Sequence, residues 1–315
     1  MVGVESLRGR DLLSIADLSR NELDALIDLG LKMKELYYKG FRNLNILNGK
    51  VLALIFEKHS TRTRVSLQVA IHQLGGTSLY LSSQELQLAR GEPIKDTARV
   101  LERYVDGIAA RVYKHKSLVE LAEYAQIPVI NALSDVEHPL QAIADVMTII
   151  EIKKDIRKQK IAFFGDGADN VIHSLMLAVA MLGGTLYIAT APGYDPNPEI
   201  FKKAKEYASE SGGQIFVVRD PIEAAKDADV IYTDVWVSMG QESEREKRIR
   251  DLSRYQVNSE IVSYAKKDYI FMHCLPAKRG EEVTDEVIES RNSAVWIQAE
   301  NRLHSAKAVL ASILG

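Results

Sequence analysis

Short apolar runs alternate with amphipathic stretches along the whole chain. Positions 51–56 read Val-Leu-Ala-Leu-Ile-Phe, too short for a typical helix and apolar on both faces, as a strand buried inside a parallel sheet would be. Further strand patterns fall at 77–81, 107–112 and 129–132, then at 161–164, 185–189, 215–218, 230–232 and 269–272. Between them apolar residues recur at helical spacing. Leu23, Leu26, Ile27, Met33 and Leu36 follow a Ser19 cap, although Gly30 on the same stripe weakens that helix. Ser60 or Thr61 can cap a helix that Gly75 ends. Helical patterns also cover 96–104 and 117–125. Pro139 suits the first position of a helix running through Ile143, Val146, Met147 and Ile150. Leu175, Leu177, Ala178 and Met181 define another, stopped by Gly183-Gly184, and a last pattern spans 299–314 and could pack on either domain. The segment 82–92 is polar with weak periodicity.

Strands alternating with helices in both halves predict an α/β fold of two doubly wound parallel-sheet domains of similar size. The charged interval 151–160 is the best boundary, giving domains 1–150 and 151–315. The 315 residues suffice for two cores. Hydrophobic content of 46% and charged content of 26% are ordinary for a soluble globular protein, and a net charge of −3 gives no basic footprint for nucleic acid. No apolar run approaches a membrane span, and the N-terminus lacks an apolar signal core. With Cys274 the only cysteine, no intrachain disulfide can form, and a reducing, cytoplasmic location is expected.

The candidate chemistry collects just after predicted strands, where open α/β sheets bind ligands. Ser60-Thr61-Arg62-Thr63-Arg64 follows the first strand. A helix N-terminus offers unpaired N–H groups and partial positive charge, and hydroxyls with arginine forks turn that tendency into a cradle for a phosphoryl group. Arg111, His138-Pro139-Leu140-Gln141, the segment from Asp234 to Met239, and His273-Cys274-Leu275-Pro276 occupy equivalent places after other strands. Taken singly, Arg111 fits a surface charge and His138 a helix cap about as well; their shared position at strand ends favours function. Gly165-Asp166-Gly167 after a strand invites a dinucleotide reading, but the third glycine position is Asn170 and Thr190 supplies no acid for a ribose. Adjacent side chains on a strand point to opposite faces, so His273 and Cys274 would not readily share a metal or a proton. No metal site is expected.

These motifs carry a resemblance. The segment Phe56-Glu57-Lys58-His59-Ser60-Thr61-Arg62-Thr63-Arg64 resembles the carbamoyl-phosphate signature of the aspartate and ornithine carbamoyltransferase family. The His-Pro-x-Gln cluster at 138–141 matches its second signature. Asp234-Val235-Trp236-Val237-Ser238-Met239-Gly240 and His273-Cys274-Leu275-Pro276 are similar to the ornithine branch. The resemblance runs from about Leu12 to the C-terminus.

It implies transfer of the carbamoyl group of carbamoyl phosphate to the δ-amine of L-ornithine, giving L-citrulline and phosphate in arginine metabolism. Ser60, Thr61, Arg62, Thr63 and Arg111 would hold the phosphate, with Gln87 reaching it from a neighbouring subunit. Thr63, Arg111 and His138 would polarise the carbamoyl oxygen. Gln141 and the Cys274 and Leu275 carbonyls would accept from the carbamoyl NH2, with Arg302 at the same end. Asn170, Asp234, Ser238 and the Met239 backbone would hold ornithine, and Cys274 would help position the attacking amine. Here the sequence reads Asp169-Asn170 where that branch usually has Asn-Asn, which puts a carboxyl near the substrate's carboxylate. The resemblance further implies that helix 299–314 returns to the first domain, that the chains form a homotrimer or an assembly of trimers, and that no cofactor is required. A putrescine- or other amine-specific transferase and a non-catalytic anion- or amino-acid-binding module are the alternatives.

Overall fold

The computed structural model describes residues 3–238 and 240–315 and contains two compact units, one of residues 1–147 with 300–315, the other of residues 148–299. The first is built on four parallel strands, β1 (Val51–Phe56), β2 (Thr77–Ser82), β3 (Gly107–Arg111) and β4 (Val129–Leu133), in the order β2-β1-β3-β4. Its helices are α1 (Arg20–Tyr38), α2 (Arg62–Gln73), α3 (Ile94–Leu101) and α4 (His115–Tyr124). Helix α5 (Pro139–Lys153) carries the chain out of this unit, and Pro139 stands at its first position.

The second unit has five parallel strands in the order β7-β6-β5-β8-β9: β5 (Lys160–Phe164), β6 (Thr185–Ala189), β7 (Gln214–Val218), β8 (Val230–Thr233) and β9 (Ile270–Met272). Helices α6 (Asn170–Leu182), α7 (Pro198–Ser211), α8 (Pro221–Ala225), α9 (Arg245–Leu252), α10 (Ser259–Ser263) and α11 (Asp285–Ile288) connect and flank them. Helix α12 (Val295–Leu314) begins there, and its residues from Glu300 onward belong to the first unit.

All nine expected strands form. The expected start of the last helix at 299 lies four residues late, because Trp296 and Ile297 are exposed and break the apolar stripe of the first turn. Strands β1 and β3 are buried along almost their whole length, as a sheet covered on both faces requires. Ala53, Ile55, Ile108 and Val129 pack with Leu118 and Leu121 of α4. In the second unit Phe164, Ile231 and Phe271 share a core with Trp236 and Val287. Each such large side chain contributes roughly 1.5–3 kcal/mol on burial.

The expected stop of α2 is a Schellman turn. The Gly75 N–H donates to the His72 carbonyl at 3.0 Å and the Gly76 N–H to the Ile71 carbonyl at 2.9 Å. Gly75 has φ +95°, and a Cβ there would meet Asn48 Oδ1 at 2.3 Å.

Candidate active site

Each sheet has one place where strand order reverses: between β1 and β3 in the first unit, and between β5 and β8 in the second. Loops leaving neighbouring strands there turn to opposite sides and open a crevice at the carboxyl ends. The chemistry-bearing residues sit at those two points.

In the first unit, the chain leaves β1 and starts α2 at Arg62. Ser60 provides the cap, its Oγ accepting from the Thr63 N–H at 3.3 Å; Thr61 is exposed and makes no side-chain cap bond. Thr63 is buried on the first turn, and Arg62 is half-buried beside it. Arg64 is occupied differently, lying over the Tyr80 ring at 3.5 Å and reaching Gln68 at 3.4 Å. Of the two clustered arginines, Arg62 is the one whose charge acts on His138.

Arg111 ends β3, where the register against β4 shifts between Ala110 and Arg111. Across that irregularity Leu133 has φ +154°, a strained backbone of the kind that collects at functional sites. The turn into α5 is held from below. Asn131 Nδ2 donates to the Leu13 and Glu137 carbonyls, and the Glu137 carboxylate accepts from Ser14 Oγ at 2.5 Å and the Ile15 N–H at 3.1 Å. This fixes His138, whose carbonyl receives the N–H groups of Gln141 and Ala142.

Arg302, two residues into the returning part of α12, joins these pieces. It donates through Nη2 to Thr63 Oγ1 at 3.0 Å and through Nη1 to Gln141 Oε1. Gln141 then donates through Nε2 to the Asp145 carboxylate at 2.8 Å. Burial holds the His138 imidazole well below its ordinary value, reinforced by the charges of Arg302, Arg111 and Arg62. His138 is thus a neutral ring in a cationic crevice. Gln87 stands apart, exposed on the turn Gln87–Arg90, and no hydrogen bond joins its side chain to this group.

In the second unit the switch point is acidic. Gly165, at φ +126°, turns the chain out of β5; a Cβ there would press on the Trp236 ring at 3.2 Å. The glycines of Gly165-Asp166-Gly167 thus serve close packing, since a Cβ on Gly167 would meet the Tyr194 carbonyl at 2.6 Å. Asp166 is paired with Arg248 at 2.6 Å. Asp169 caps α6, accepting from the Val171 N–H at 2.8 Å, and also accepts from Ser238 Oγ at 3.0 Å. Asn170 is the first residue of α6. Asp234 follows β8, is buried, and accepts from the Val235 N–H at 2.7 Å and from the Cys274 thiol. Burial and the charge of Asp166 push Asp169 up to about 6; burial and the Asp169 charge push Asp234 well above its ordinary value. The Met239 position lies outside the described residues.

Strand β9 ends at Met272, so His273 and Cys274 leave strand alternation behind and come to one side. Ligand atoms of Asp234, His273 and Cys274 lie within 4.8 Å of one another, against the expectation of opposite faces. Both ring nitrogens of His273 are nevertheless committed. Nδ1 accepts from the Leu275 N–H at 2.9 Å, which leaves the proton on Nε2 to bond Glu282 at 2.9 Å. Leu275, at φ +58°, precedes a cis bond to Pro276.

Sequence reasoning missed the supporting residues Asn131, Glu137, Asp145, Arg248 and Glu282. Asp145 alone had a signal, standing four residues after Gln141 on one helix face.

Two parallel α/β units, one with arginines and the other with buried carboxyls at its switch point, place the chain among two-domain α/β proteins with a ligand crevice at each sheet. Residues 10–151 match the family described as "Aspartate/ornithine carbamoyltransferase, carbamoyl-P binding domain" and residues 157–313 its "Asp/Orn binding domain". The chain belongs to the aspartate/ornithine carbamoyltransferase family. The ornithine carbamoyltransferase of Hyperthermus butylicus is 59% identical over 308 residues, covering 98% of both chains. That of Staphylothermus marinus is 56% identical over 312 residues, covering 99% of both. The solved structure of ornithine carbamoyltransferase from Pyrococcus furiosus superposes with a TM-score of 0.94 at 55% identity, covering 100% of this chain and 99% of that one.

Proposed function

We propose that the protein is an ornithine carbamoyltransferase, moving the carbamoyl group of carbamoyl phosphate to the δ-amine of L-ornithine with release of L-citrulline and phosphate. The observation that supports the reading is the contrast between the two switch points: Arg62, Arg111 and Arg302 around His138 in one unit, and in the other the buried carboxyls of Asp169 and Asp234, whose proton uptake through burial an incoming cation would reverse. A dianionic phosphate suits the first, an ammonium the second.

The residues divide the work accordingly. Ser60, Thr61, Arg62, Thr63 and Arg111 bind the phosphate, together with the N–H groups at the start of α2. As the amine nitrogen attacks the carbamoyl carbon, the bond to the bridging oxygen breaks and its electrons leave with phosphate. Charge growing there meets fixed arginines. The carbamoyl oxygen is polarised by Thr63, Arg111 and an N–H of the neutral His138. Gln141 and the Cys274 and Leu275 carbonyls receive the carbamoyl NH2. Arg302 supports this group through its bonds to Thr63 and Gln141.

Asp234, Asn170, Ser238 and the Met239 backbone hold ornithine, with Cys274 positioning its amine. The departing phosphate is already activated, so the reaction draws on no metal or organic cofactor. Gln87 acts on the phosphate of a neighbouring copy in a homotrimer, and the enzyme serves arginine metabolism in the cytoplasm. Among the described residues no helix is long and apolar enough to cross a membrane.

The test compares carbamoylated product from purified protein with ornithine, putrescine and aspartate side by side. Citrulline formation well above the other products is expected. Absence of product with ornithine sinks the reading, and product chiefly from putrescine moves the acceptor to a diamine.

A further inference from the structure

Asp169 accepts hydrogen bonds at both of its carboxylate oxygens. Oδ1 accepts from the Val171 N–H and caps α6; Oδ2 accepts the proton of Ser238 Oγ. A serine hydroxyl has a single proton to give. With that proton committed to Asp169, Ser238 Oγ can present only lone pairs to a bound substrate. Lone pairs beside two buried carboxyls suit an ammonium and disfavour a carboxylate.

We propose that Asp169 is a specificity-determining positioning residue for the acceptor: by holding the Ser238 proton it makes that hydroxyl an ammonium acceptor, and it places a second negative charge beside Asp234. The inference rests on the reading of the second unit as the ornithine site held by Asp234 and Ser238.

The surrounding charges leave this role to Asp169. Asp166 is ion-paired with Arg248 at 2.6 Å, and what remains of its charge acts on Asp169 in the same direction as burial. His173, one turn along α6, uses Nε2 to accept from the Asn197 N–H at 3.0 Å. His273 and Glu282 are bonded to each other, and the Cys274 thiol is turned to Asp234. With Asp169 pushed up to about 6, an arriving ammonium favours its ionised form and drives off its proton.

The experiment is steady-state citrulline formation by the full-length enzyme from pH 6 to 8.5, comparing wild type with Asp169→Asn, Asp169→Ser, Ser238→Ala and the Asp169→Asn/Ser238→Ala pair. Asn and Ser cap helices about as well as Asp, so both replacements keep α6 while removing the charge. Asp169→Asn is expected to raise the ornithine KM roughly tenfold at pH 8, with kcat and the carbamoyl phosphate KM within about twofold. The penalty should fall by about half at pH 6, where wild-type Asp169 is about half protonated before ornithine binds. In the Ser238→Ala background the same change should cost roughly threefold, because only the charge is then lost. An unchanged ornithine KM at pH 8 in both Asp169 variants overturns the inference while leaving the ornithine reading intact. A penalty equal at pH 6 and 8, or equal with and without the Ser238 hydroxyl, also overturns it. Wild-type enzyme that forms no citrulline removes the reading and the inference together.

Discussion

Arg302 Nη2 lies 3.0 Å from Thr63 Oγ1, joining the last helix of the chain to the first turn of α2 across 239 positions of sequence. Through its other terminal nitrogen the same guanidinium reaches Gln141, so one buried arginine sets two side chains of the cationic crevice. A planar fork can do this and a lysine cannot. Arg302→Lys is therefore expected to cost about 2–4 kcal/mol in kcat/KM for carbamoyl phosphate, the range for losing a preorganised electrostatic donor. Steady-state kinetics would check this, and turnover within threefold of wild type would remove Arg302 from the site.

Arg62 and Arg64 are separated by one residue and by their surroundings. Arg62→Ala should lose about 2–4 kcal/mol of transition-state stabilisation. Arg64→Met should change turnover little and stability by no more than about 1 kcal/mol, since Arg64 is spent on the Tyr80 ring. Parallel kcat/KM and thermal-melting measurements on the two variants distinguish them. Equal kinetic losses would contradict the assignment of Arg64 to packing.

His138 is buried with its imidazole held well below the usual value, first by burial and then by three arginines. In the unfolded chain it protonates near its ordinary value of 6.5. Below that pH the unfolded state binds one more proton than the folded state, so this group lowers stability as pH falls through 6.5. His138→Asn should flatten the fall in unfolding free energy between about pH 6.5 and 5, measured by urea denaturation at several pH values. The wild-type slope persisting unchanged would mean that the ring is not held neutral.

Lys307 is fully buried in the first unit, its Nζ 5.2 Å from the Tyr37 ring, with His304 and the Lys34–Glu300 pair close by. Burial pulls it down to about 8, and burial with the Lys307 charge pulls His304 down to about 4. Between pH 8 and the ordinary lysine value of 10.5 the unfolded chain binds the extra proton, so stability rises with pH in that window. At neutral pH the charge is a full penalty, and Lys307→Met is expected to stabilise the protein by up to about 3 kcal/mol. Thermal and urea melts at pH 7 and 10 test this. A gain at pH 10 equal to that at pH 7 would rule out desolvation of the ammonium as its source.

The strands, the order of elements, Pro139 at the start of α5 and the Gly75 stop were legible because each depends on local chemistry: period, ring closure, positive φ. The motifs that named the family were legible for the same reason. Sequence order left ambiguous which neighbour each motif residue uses. Arg62 and Arg64 look equivalent in a five-residue cluster, yet a helix turn sends Arg64 onto Tyr80. His273 and Cys274 appeared to lie on opposite faces, but β9 ends at Met272, and only its end brings both toward Asp234. Nothing local to Glu282 or Glu137 marks them as supports, because their partners lie on other elements or loops.

The sequence by itself determined the α/β class, the two parallel sheets and the strand ends where the candidate site residues collect, since hydrophobic period and helix-start chemistry are properties of neighbouring residues. The tertiary structure alone decided that Arg302 sets Thr63 and Gln141, that His138 is a neutral ring, and that Asp169 holds the Ser238 proton. Those facts depend on desolvation and on charges brought together from distant positions, which only the folded chain supplies.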